Sequence, residues 1–469
     1  MVSKKKLIVI GVDGGNFEVI NSLKDKLPNL HKLKNRAVLY STMPPGTAVS
    51  WASFLTGVNP GKTGIFDFTL VDENSWKIKI INRKRLKGEP MWKYLDGVGV
   101  RSCFFNIPVT YPPDEINGVL ISGIDAPSTL SNYTYPPEFK SELRKFDYEI
   151  EVSGIKDKKD LVSAAIKVLD KRVKVAKYLL KKDFDFVSVL FRESDVAQHF
   201  AWGREEVETC YVMIDEFIGH AMKYAEKNNY KIIVMSDHGE EAVSKAFNVN
   251  SWLEKNNYLF TNIKKRGVLS KLGVSRERIF KILDMMHTGF LIKVVPRGLA
   301  KKVPTKDVDF EEAILTGRVD LRRTKAIAKR AVKTAQVFFN TEARGGVVKT
   351  TEASGLAEEI RQKLSAFLEK NNISAVIKTK KELYDNAESA PDLTVYMKER
   401  GYDVLTKFSS DKNIWEDPRE QATHAVEGII FTDLDIDLEH PRIIDLCPTI
   451  LSYFGVKKGV FDGKSLLQK

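Results

Sequence analysis

The chain has 469 residues, 43% of them hydrophobic, so it can bury a large core as two or three domains or as one large domain with insertions. It contains no run of about 18 apolar residues, which excludes a membrane-spanning helix, and its first apolar run, Leu7 to Val12, is too short for the core of a signal peptide. The formal net charge is +12. The three cysteines lack metal-ligand spacing, as is typical of a protein of the reducing cytoplasm.

The first part of the chain combines a buried strand with a buried helix. Leu7 to Val12 is a continuous apolar run, which predicts a strand in the middle of a parallel sheet, and Asp13 follows it directly. Turn residues precede the segment Thr47 to Thr56, which predicts a helix with Thr47 at its N-terminus. Thr47 has two interpretations: a cap that accepts a first-turn N–H bond, or a nucleophile beside N–H groups that suit a phosphate.

Strands and helices alternate through the middle of the chain. Strands are predicted at 101–106, 118–122, 184–191 and 231–235. Amphipathic helices are predicted at 160–182 and 205–226. Asp195 and His199 follow the third of these strands, and Asp237 and His238 follow the fourth. This alternation predicts a doubly wound, mostly parallel α/β sheet, whose ligands gather at the carboxyl ends of the strands.

The segment from Lys264 to Lys302 interrupts the alternation. It holds eleven Lys or Arg residues against Glu277 and Asp284, a net charge of +9, together with apolar islands. We interpret it as a basic helical insertion, which acts either as a lid or as a contact with an anionic membrane surface. The predicted division is therefore a catalytic core over 1–260, the insertion over 261–310, and the second part of the core over 311–469.

The last part of the chain is predicted to hold further strands and to return to the core sheet at 428–431. Strands are predicted at 335–339, 374–377 and 393–396, and a helix at 358–368. His424 stands just before a further core strand at 428–431, and Pro448 is predicted to begin a helix.

Seven residues have side chains suited to metal chemistry, and most of them follow predicted strands. They are Asp13, Thr47, Asp195, His199, Asp237, His238 and His424. Asp195 and His199 are four residues apart and would share one face of a helix, whereas the adjacent Asp237 and His238 require the chain to turn. Three carboxylates, three imidazoles and one hydroxyl are enough ligands for two divalent metals.

The same residues resemble the motifs of the alkaline phosphatase superfamily, in its branch of type I phosphodiesterases and nucleotide pyrophosphatases. The motifs, in the order of that family, are Gly11-Val12-Asp13-Gly14, Thr47 with Thr56-Gly57 and Pro60, Asp195 with His199, Ser236-Asp237-His238-Gly239, and His424. The resemblance implies an alkaline-phosphatase-like fold with two metal ions. The first metal would be held by Asp13, Thr47, Asp237 and His238, and the second by Asp195, His199 and His424.

The resemblance also implies that Thr47 is the nucleophile and forms a phosphothreonine intermediate. Two positions depart from the nucleotide pyrophosphatases: an Asn 21 residues after the nucleophile is here Phe68, and a frequent His is here Thr63. The metal chemistry survives both changes, but specificity for nucleotides does not follow. Lys62 and Arg192 lie near the motifs and could contact phosphate, but we interpret them as solvated charges.

The sequence therefore predicts a metal-dependent hydrolase of a phosphate ester, most simply a phosphodiester or a pyrophosphate. Two alternatives stay open: a phosphomonoesterase of the same superfamily, and a basic membrane- or nucleic-acid-binding protein with structural metals. We expect two zinc ions, with manganese or iron as alternatives because Asp and His bind all three. The expected location is the cytoplasm, with peripheral membrane attachment through Lys264 to Lys302 as a further hypothesis.

Overall fold

The computed structural model describes residues 5–151, 157–262, 310–385, 387–408, 412–416 and 420–468. The strands are β1 Leu7–Val12, β2 Asn35–Tyr40, β3 Thr69–Val71, β4 Ile78–Ile80, β5 Ser102–Ile107, β6 Gly118–Ser122, β7 Thr134–Tyr135, β8 Phe186–Phe191, β9 Lys231–Met235, β10 Gly239–Asn248, β11 Ala326–Ala331, β12 Thr334–Phe339, β13 Ala375–Thr379, β14 Leu393–Met397, β15 Gly401–Leu405, β16 Ile414–Glu416, β17 Ala422–Ala425 and β18 Glu427–Thr432. The helices are α1 Phe17–Ser22, α2 Thr47–Thr56, α3 Pro60–Thr63, α4 Met91–Gly97, α5 Phe139–Leu143, α6 Lys158–Leu180, α7 Glu193–Ala201, α8 Glu205–Asn228, α9 Val249–Lys255, α10 Phe310–Leu315, α11 Ala353–Lys370, α12 Lys380–Tyr384 and α13 Ile443–Tyr453.

An eight-stranded sheet forms the centre of the fold, in the order β2-β18-β9-β1-β8-β5-β6-β7. The strands from β9 to β6 run parallel to one another, and β18, β2 and β7 join them through antiparallel pairs. The prediction of a doubly wound, mostly parallel α/β sheet is therefore confirmed.

The side chains of β1 contribute to apolar layers on both faces of the central sheet. All six residues of this strand are buried, and they alternate between two apolar layers. Leu7 and Val9 belong to the layer that contains residues of α2, α4 and α13, whereas Ile8 and Ile10 belong to the layer with α6 and α8. A continuous apolar run is what such a doubly covered position requires.

The C-terminal helix begins earlier than the sequence predicts. α13 starts at Ile443 and encloses Pro448, so the prediction that Pro448 begins the helix is wrong. The Asp445 carboxylate accepts a 2.9 Å bond from the Arg442 backbone N–H, which fixes the helix start upstream. Ile443 and Ile450 pack into the core, and this burial outweighs the one helical bond that Pro448 cannot make.

The chain between β9 and β18 builds two smaller sheets beside the central one. One has the order β11-β12-β14-β13, and the other has the order β15-β10-β16, with β17 paired to β10. Their separate apolar core includes Ile360 and Leu364 of α11 packed with Val337 and Val395. We call the chain from β10 to β17 the second unit.

The basic insertion expected at 261–310 lies almost entirely in 263–309, outside the described residues. The three-part division of the chain therefore stays a prediction, as do the lid and membrane interpretations of Lys264 to Lys302. Among the described residues, none of the helices is both long enough and apolar enough to span a bilayer.

Candidate metal centre

Three neighbouring strands of the central sheet end at the candidate site. Asp13 follows β1, Asp237 lies two residues beyond β9, and Asp195 lies in the first turn of α7, which comes after β8. Because β9, β1 and β8 are adjacent and parallel, their carboxyl ends lie at one edge of the sheet. The three carboxylates therefore converge there, and all three are buried.

The first cluster consists of Asp13, Thr47, Asp237 and His238. The His238 Nε2 atom lies 3.3 Å from Asp13 Oδ1 and 3.3 Å from Asp237 Oδ2. The chain turns between β9 and β10, as the adjacent Asp237 and His238 require. Gly239 fits this turn because a Cβ atom there would lie 2.1 Å from a backbone oxygen of β18.

Thr47 is the first residue of α2 rather than its cap. The N-cap is Gly46, and no side chain caps the helix. The Thr47 hydroxyl instead lies 3.2 Å from His238 Nε2 and 3.5 Å from Asp13 Oδ1. The interpretation of Thr47 as a simple helix cap is therefore wrong, and its hydroxyl belongs to the first cluster.

The second cluster consists of Asp195, His199, His424 and Glu240. Asp195 and His199 share one face of α7, and His424 comes from β17. Asp195 Oδ1 lies 3.3 Å from the Nε2 atom of each histidine, and these two Nε2 atoms are 3.1 Å apart. The structure thus brings together the seven residues that the sequence singles out, as two adjacent clusters.

Glu240 is the site residue that sequence reasoning missed. It lies in β10, and its Oε1 atom is 3.5 Å from the Nε2 atoms of both His199 and His424. The available signal was its chemistry and position, since it is a carboxylate two residues after His238. The family motif ends at Gly239, so a motif-based interpretation stops one residue short.

Backbone carbonyls fix the orientation of all three imidazoles. The Nδ1 atoms of His199, His238 and His424 lie 2.9 Å from the Ala422 oxygen, 3.0 Å from the Gly239 oxygen and 2.7 Å from the Pro45 oxygen, respectively. A carbonyl can only accept, so each Nδ1 carries a proton, and in the neutral imidazole each Nε2 presents a lone pair to the clusters. This is the tautomer that a metal-binding histidine needs.

Several carboxylate oxygens of the clusters, which could bind a metal, have no hydrogen-bond partner. They are Asp13 Oδ2, Asp195 Oδ1, Asp237 Oδ2 and both oxygens of Glu240. Buried polar atoms are nearly always paired, and lone pairs 3.1 to 3.5 Å apart repel unless a cation lies between them. Ligand atoms of Asp13, Asp237 and His238 all lie within 4.8 Å of one another, as do those of Asp195, His238, Glu240 and His424. The residues present therefore fit two divalent cations.

The pKa shifts of the site residues reflect the same close packing of ionisable groups. Burial, followed by the charge of Asp237, raises the pKa of Asp13 well above its usual value. Burial and the charge of Asp195 raise the pKa of Asp237 to about 7. Burial and the charge of His238 lower the pKa of His424 to about 3, which keeps this imidazole neutral. Divalent cations would favour the ionised carboxylates and the neutral imidazole.

Serine hydroxyls hold the backbone that carries the first cluster. Ser194 donates a 2.7 Å bond to the Asp13 carbonyl, and Ser41 donates a 2.6 Å bond to the Asp237 carbonyl. These bonds position the two ligands without occupying their carboxylates, which stay directed at the site.

Residues 7–428 match the model of the family named type I phosphodiesterase / nucleotide pyrophosphatase. The chain belongs to this family. It is therefore a hydrolase of phosphate esters, and the resemblance to the alkaline phosphatase superfamily is confirmed. A comparison with curated protein sequences gave no match.

Solved structures of this superfamily share the fold. The chain is similar to the murine ectonucleotide pyrophosphatase/phosphodiesterase 5, with a TM-score of 0.53 and 11% identity over 98% of this chain and 97% of that one. An inactive threonine-to-alanine variant of the murine protein, in complex with AMP, gives a TM-score of 0.52 and 11% identity over the same shares. Phosphonoacetate hydrolase from Sinorhizobium meliloti 1021, in complex with phosphonoformate, gives 0.56 and 13% over 97% and 96%.

The position of Phe68 sets this phosphodiesterase-family chain apart. Phe68 packs against an apolar group that includes Ala48, the residue after Thr47. The neighbouring Asp67 forms an ion pair with Lys329, which lies on β11 of the second unit. Phe68 is thus a partly buried apolar ring, and the carboxylate beside it in the chain is neutralised.

Lys62 and Arg192, the two charged residues near the motifs, differ in how far their side chains are exposed. The Lys62 side chain is 50% exposed and pairs with Asp462, so it is the solvated charge that the sequence predicts. Arg192 has only 11% of its side chain exposed, and its guanidinium lies 3.8 Å from Asp13 Oδ2 and 2.7 Å from Glu151. The prediction of a solvated charge is wrong for Arg192, because β8 ends beside the first cluster and carries this side chain inward.

Proposed function

We propose that this chain hydrolyses a phosphodiester or a pyrophosphate with two divalent metal ions and a phosphothreonine intermediate on Thr47. The observation that carries the proposal is the place of the Thr47 hydroxyl, which lies within hydrogen-bond distance of the first cluster instead of capping α2. The inactive variant of the murine relative, which is in complex with AMP, has a threonine replaced by alanine.

Two sets of residues would hold the metals. The first cluster supplies Asp13, Asp237, His238 and the Thr47 oxygen, and the second supplies Asp195, His199 and His424. When bound, the two ions would lower the pKa of the Thr47 hydroxyl and neutralise the phosphoryl oxygens. We expect zinc at these nitrogen and oxygen donors, with manganese and iron as alternatives.

The chain's own residues would then carry the reaction in two displacements. The Thr47 oxygen attacks phosphorus, loses its proton to solvent, and the bond from phosphorus to the leaving alcohol or phosphate breaks. Water next attacks the phosphothreonine, which frees the Thr47 hydroxyl and releases the phosphate product. The free N–H groups at the start of α2 would face the phosphoryl oxygens, with the positive end of the helix dipole behind them.

The side chains around Thr47 also bear on the choice of substrate. Phe68 offers an apolar surface, and Asp67 is neutralised by Lys329, so an apolar or aromatic leaving group suits this side of the site better than a polar base. We propose a cytoplasmic location, in line with the three buried free cysteines.

A matched panel of substrates tests the proposal. The enzyme is stripped with EDTA, reloaded with zinc, manganese or iron, and assayed with bis-p-nitrophenyl phosphate, a nucleotide pyrophosphate, p-nitrophenyl phosphate and phosphonoacetate. We expect the diester or the pyrophosphate to give the highest kcat/KM, and an acid quench during turnover to trap phosphate on Thr47. Higher kcat/KM for the monoester would instead favour the phosphomonoesterase, and no turnover with any metal would refute the proposal.

A further inference from the structure

Glu240 is placed beside His424 by the pairing of two strands. β10 and β17 are antiparallel, with Gly239 opposite Ala425, Glu240 opposite His424, and Glu241 opposite Thr423. Directly opposed residues of such a pair project from the same face of the sheet. The backbone alone therefore brings the Glu240 carboxylate next to the His424 imidazole, while Glu241 projects from the other face.

The contacts of the two glutamates are entirely different. Glu241 forms a buried ion pair with Lys333. The Glu240 side chain is 0% exposed, and neither of its oxygens has a hydrogen-bond partner. Among the described residues, the ion pairs place no lysine or arginine beside Glu240, and its nearest cationic candidates are His199 and His424 at 3.5 Å.

In their neutral form, which metal binding requires, the two histidines do not donate a proton to this carboxylate. Their Nδ1 protons point to the carbonyls of Ala422 and Pro45, so both Nε2 atoms approach Glu240 with lone pairs. A fully buried carboxylate that meets two acceptors is strongly unfavourable in a protein interior. A divalent cation between the Glu240 carboxylate and the imidazoles of His199 and His424 would make this arrangement favourable, because all three groups would then be metal ligands.

We propose that Glu240 is a ligand of the second metal, together with Asp195, His199 and His424. The inference rests on the proposed function, which requires a metal at the second cluster. It assigns this metal two carboxylate oxygens and two imidazole nitrogens from the protein. With Glu240, the four carboxylate ligands balance the charge of two dications, and the Arg192 guanidinium lies 3.8 Å from Asp13 Oδ2 beside them. A singly charged phosphodiester then suits the centre better than a doubly charged monoester.

The fourth ligand also affects the choice of metal. Catalytic zinc sites usually have three protein ligands and one open position. A fourth protein ligand leaves room for a phosphoryl oxygen only when the metal accepts five or six ligands, and an added carboxylate favours manganese relative to zinc. Glu240 thus makes the second cluster better suited to manganese than the three ligands implied by the family motifs.

The test compares metal binding by the wild type, Glu240→Gln, Glu240→Asp and the neighbouring control Glu241→Gln. Metal-free proteins are titrated with Mn²⁺, followed by electron paramagnetic resonance, and with Zn²⁺ in competition with a chelator. We expect Glu240→Gln to bind one of two Mn²⁺ equivalents at least about tenfold more weakly, with a smaller loss for Zn²⁺. Glu240→Asp should be intermediate, and Glu241→Gln should keep both equivalents.

The melting temperature of each metal-free variant shows whether it is folded. Glu240→Gln replaces a buried carboxyl group that has no hydrogen-bond partner by an uncharged amide of similar size, so we expect it to melt no lower than the wild type without metal. If Glu240→Gln binds two metal equivalents with the affinities of the wild type, Glu240 is not a metal ligand, and the proposed function is unaffected. Fewer than two equivalents in the wild type would overturn the proposed function, and this inference with it.

Discussion

The two clusters of the metal centre are built in different ways. The first takes Asp13, Asp237 and His238 from turns after adjacent parallel strands, and Thr47 from the start of α2. The second takes two ligands from α7, whereas His424 and Glu240 come from the β10–β17 pair of the second unit. The first cluster is therefore a property of the central sheet, and the second depends on how the second unit joins that sheet.

The largest effect is expected at Thr47, which belongs to the first cluster. Thr47→Ala should lower kcat by at least about 10³-fold, because it removes the hydroxyl that would form the covalent intermediate. The variant should still fold and bind metal, since the remaining ligands are intact. The measurement is kcat on the best diester, together with metal content.

Thr56→Ala is the matched control for this prediction. Thr56 lies in the same helix, is equally buried, and donates its hydroxyl proton to the Ala52 carbonyl away from the clusters. It should lose stability but keep kcat. Substantial activity in Thr47→Ala would mean that the hydroxyl has no covalent role.

Ligand substitutions test whether the two clusters are separate sites. His424→Ala should lose the second metal and Asp237→Asn the first, each with roughly 10²-fold or greater loss of kcat/KM. Metal analysis of the purified variants measures the stoichiometry. Retention of both metals in both variants would remove the two-site assignment, and loss of both metals in each would mean that the clusters bind as one unit.

A smaller effect is expected when the pH of the metal-free protein is raised. The pKa of Asp13 and of Glu240 is raised, first of all by burial, and the pKa of His199 is raised by the charges of Glu240 and Asp195, which outweigh burial. Above the ordinary histidine value of 6.5, the folded His199 still holds a proton that the unfolded chain has released, so the free energy of unfolding falls as pH rises.

The opposite contribution comes from His424, with its pKa lowered to about 3, and it fades within about one pH unit above the ordinary histidine value of 6.5. We therefore expect the melting temperature of the EDTA-treated protein to fall by about 5 °C between pH 6.5 and 8.5. The metal-loaded protein should show a smaller fall, because bound metal already holds its ligands deprotonated. An unchanged or higher melting temperature at pH 8.5 without metal would contradict the burial of these ionisable groups.

The sequence predicts the first cluster well for a physical reason. A buried parallel strand must be continuously apolar, so an acidic residue directly after it, such as Asp13, lies at the functional edge of the sheet. The turn at Gly239 follows from the adjacent ligands Asp237 and His238. Local pattern and strand order are enough to place these side chains.

The second cluster is predicted less completely because Glu240 becomes a site residue only through long-range pairing. Nothing within its neighbouring residues indicates that β17, which lies far along the chain, will place His424 opposite it. The direction of the Arg192 side chain and the start of α13 upstream of Pro448 likewise depend on tertiary contacts. Such contacts are not encoded in any short window of sequence.

The β10–β17 pair has a consequence for the chain between its two strands. Its residues from Gly239 to Ala242 are matched in register with Ala422 to Ala425, so the chain leaves the central sheet and re-enters it at nearly the same point. A segment with closely spaced ends can be exchanged or enlarged while its anchor stays intact. The chain between these two paired segments can therefore be exchanged or enlarged while Glu240 and His424 keep their places in the anchor.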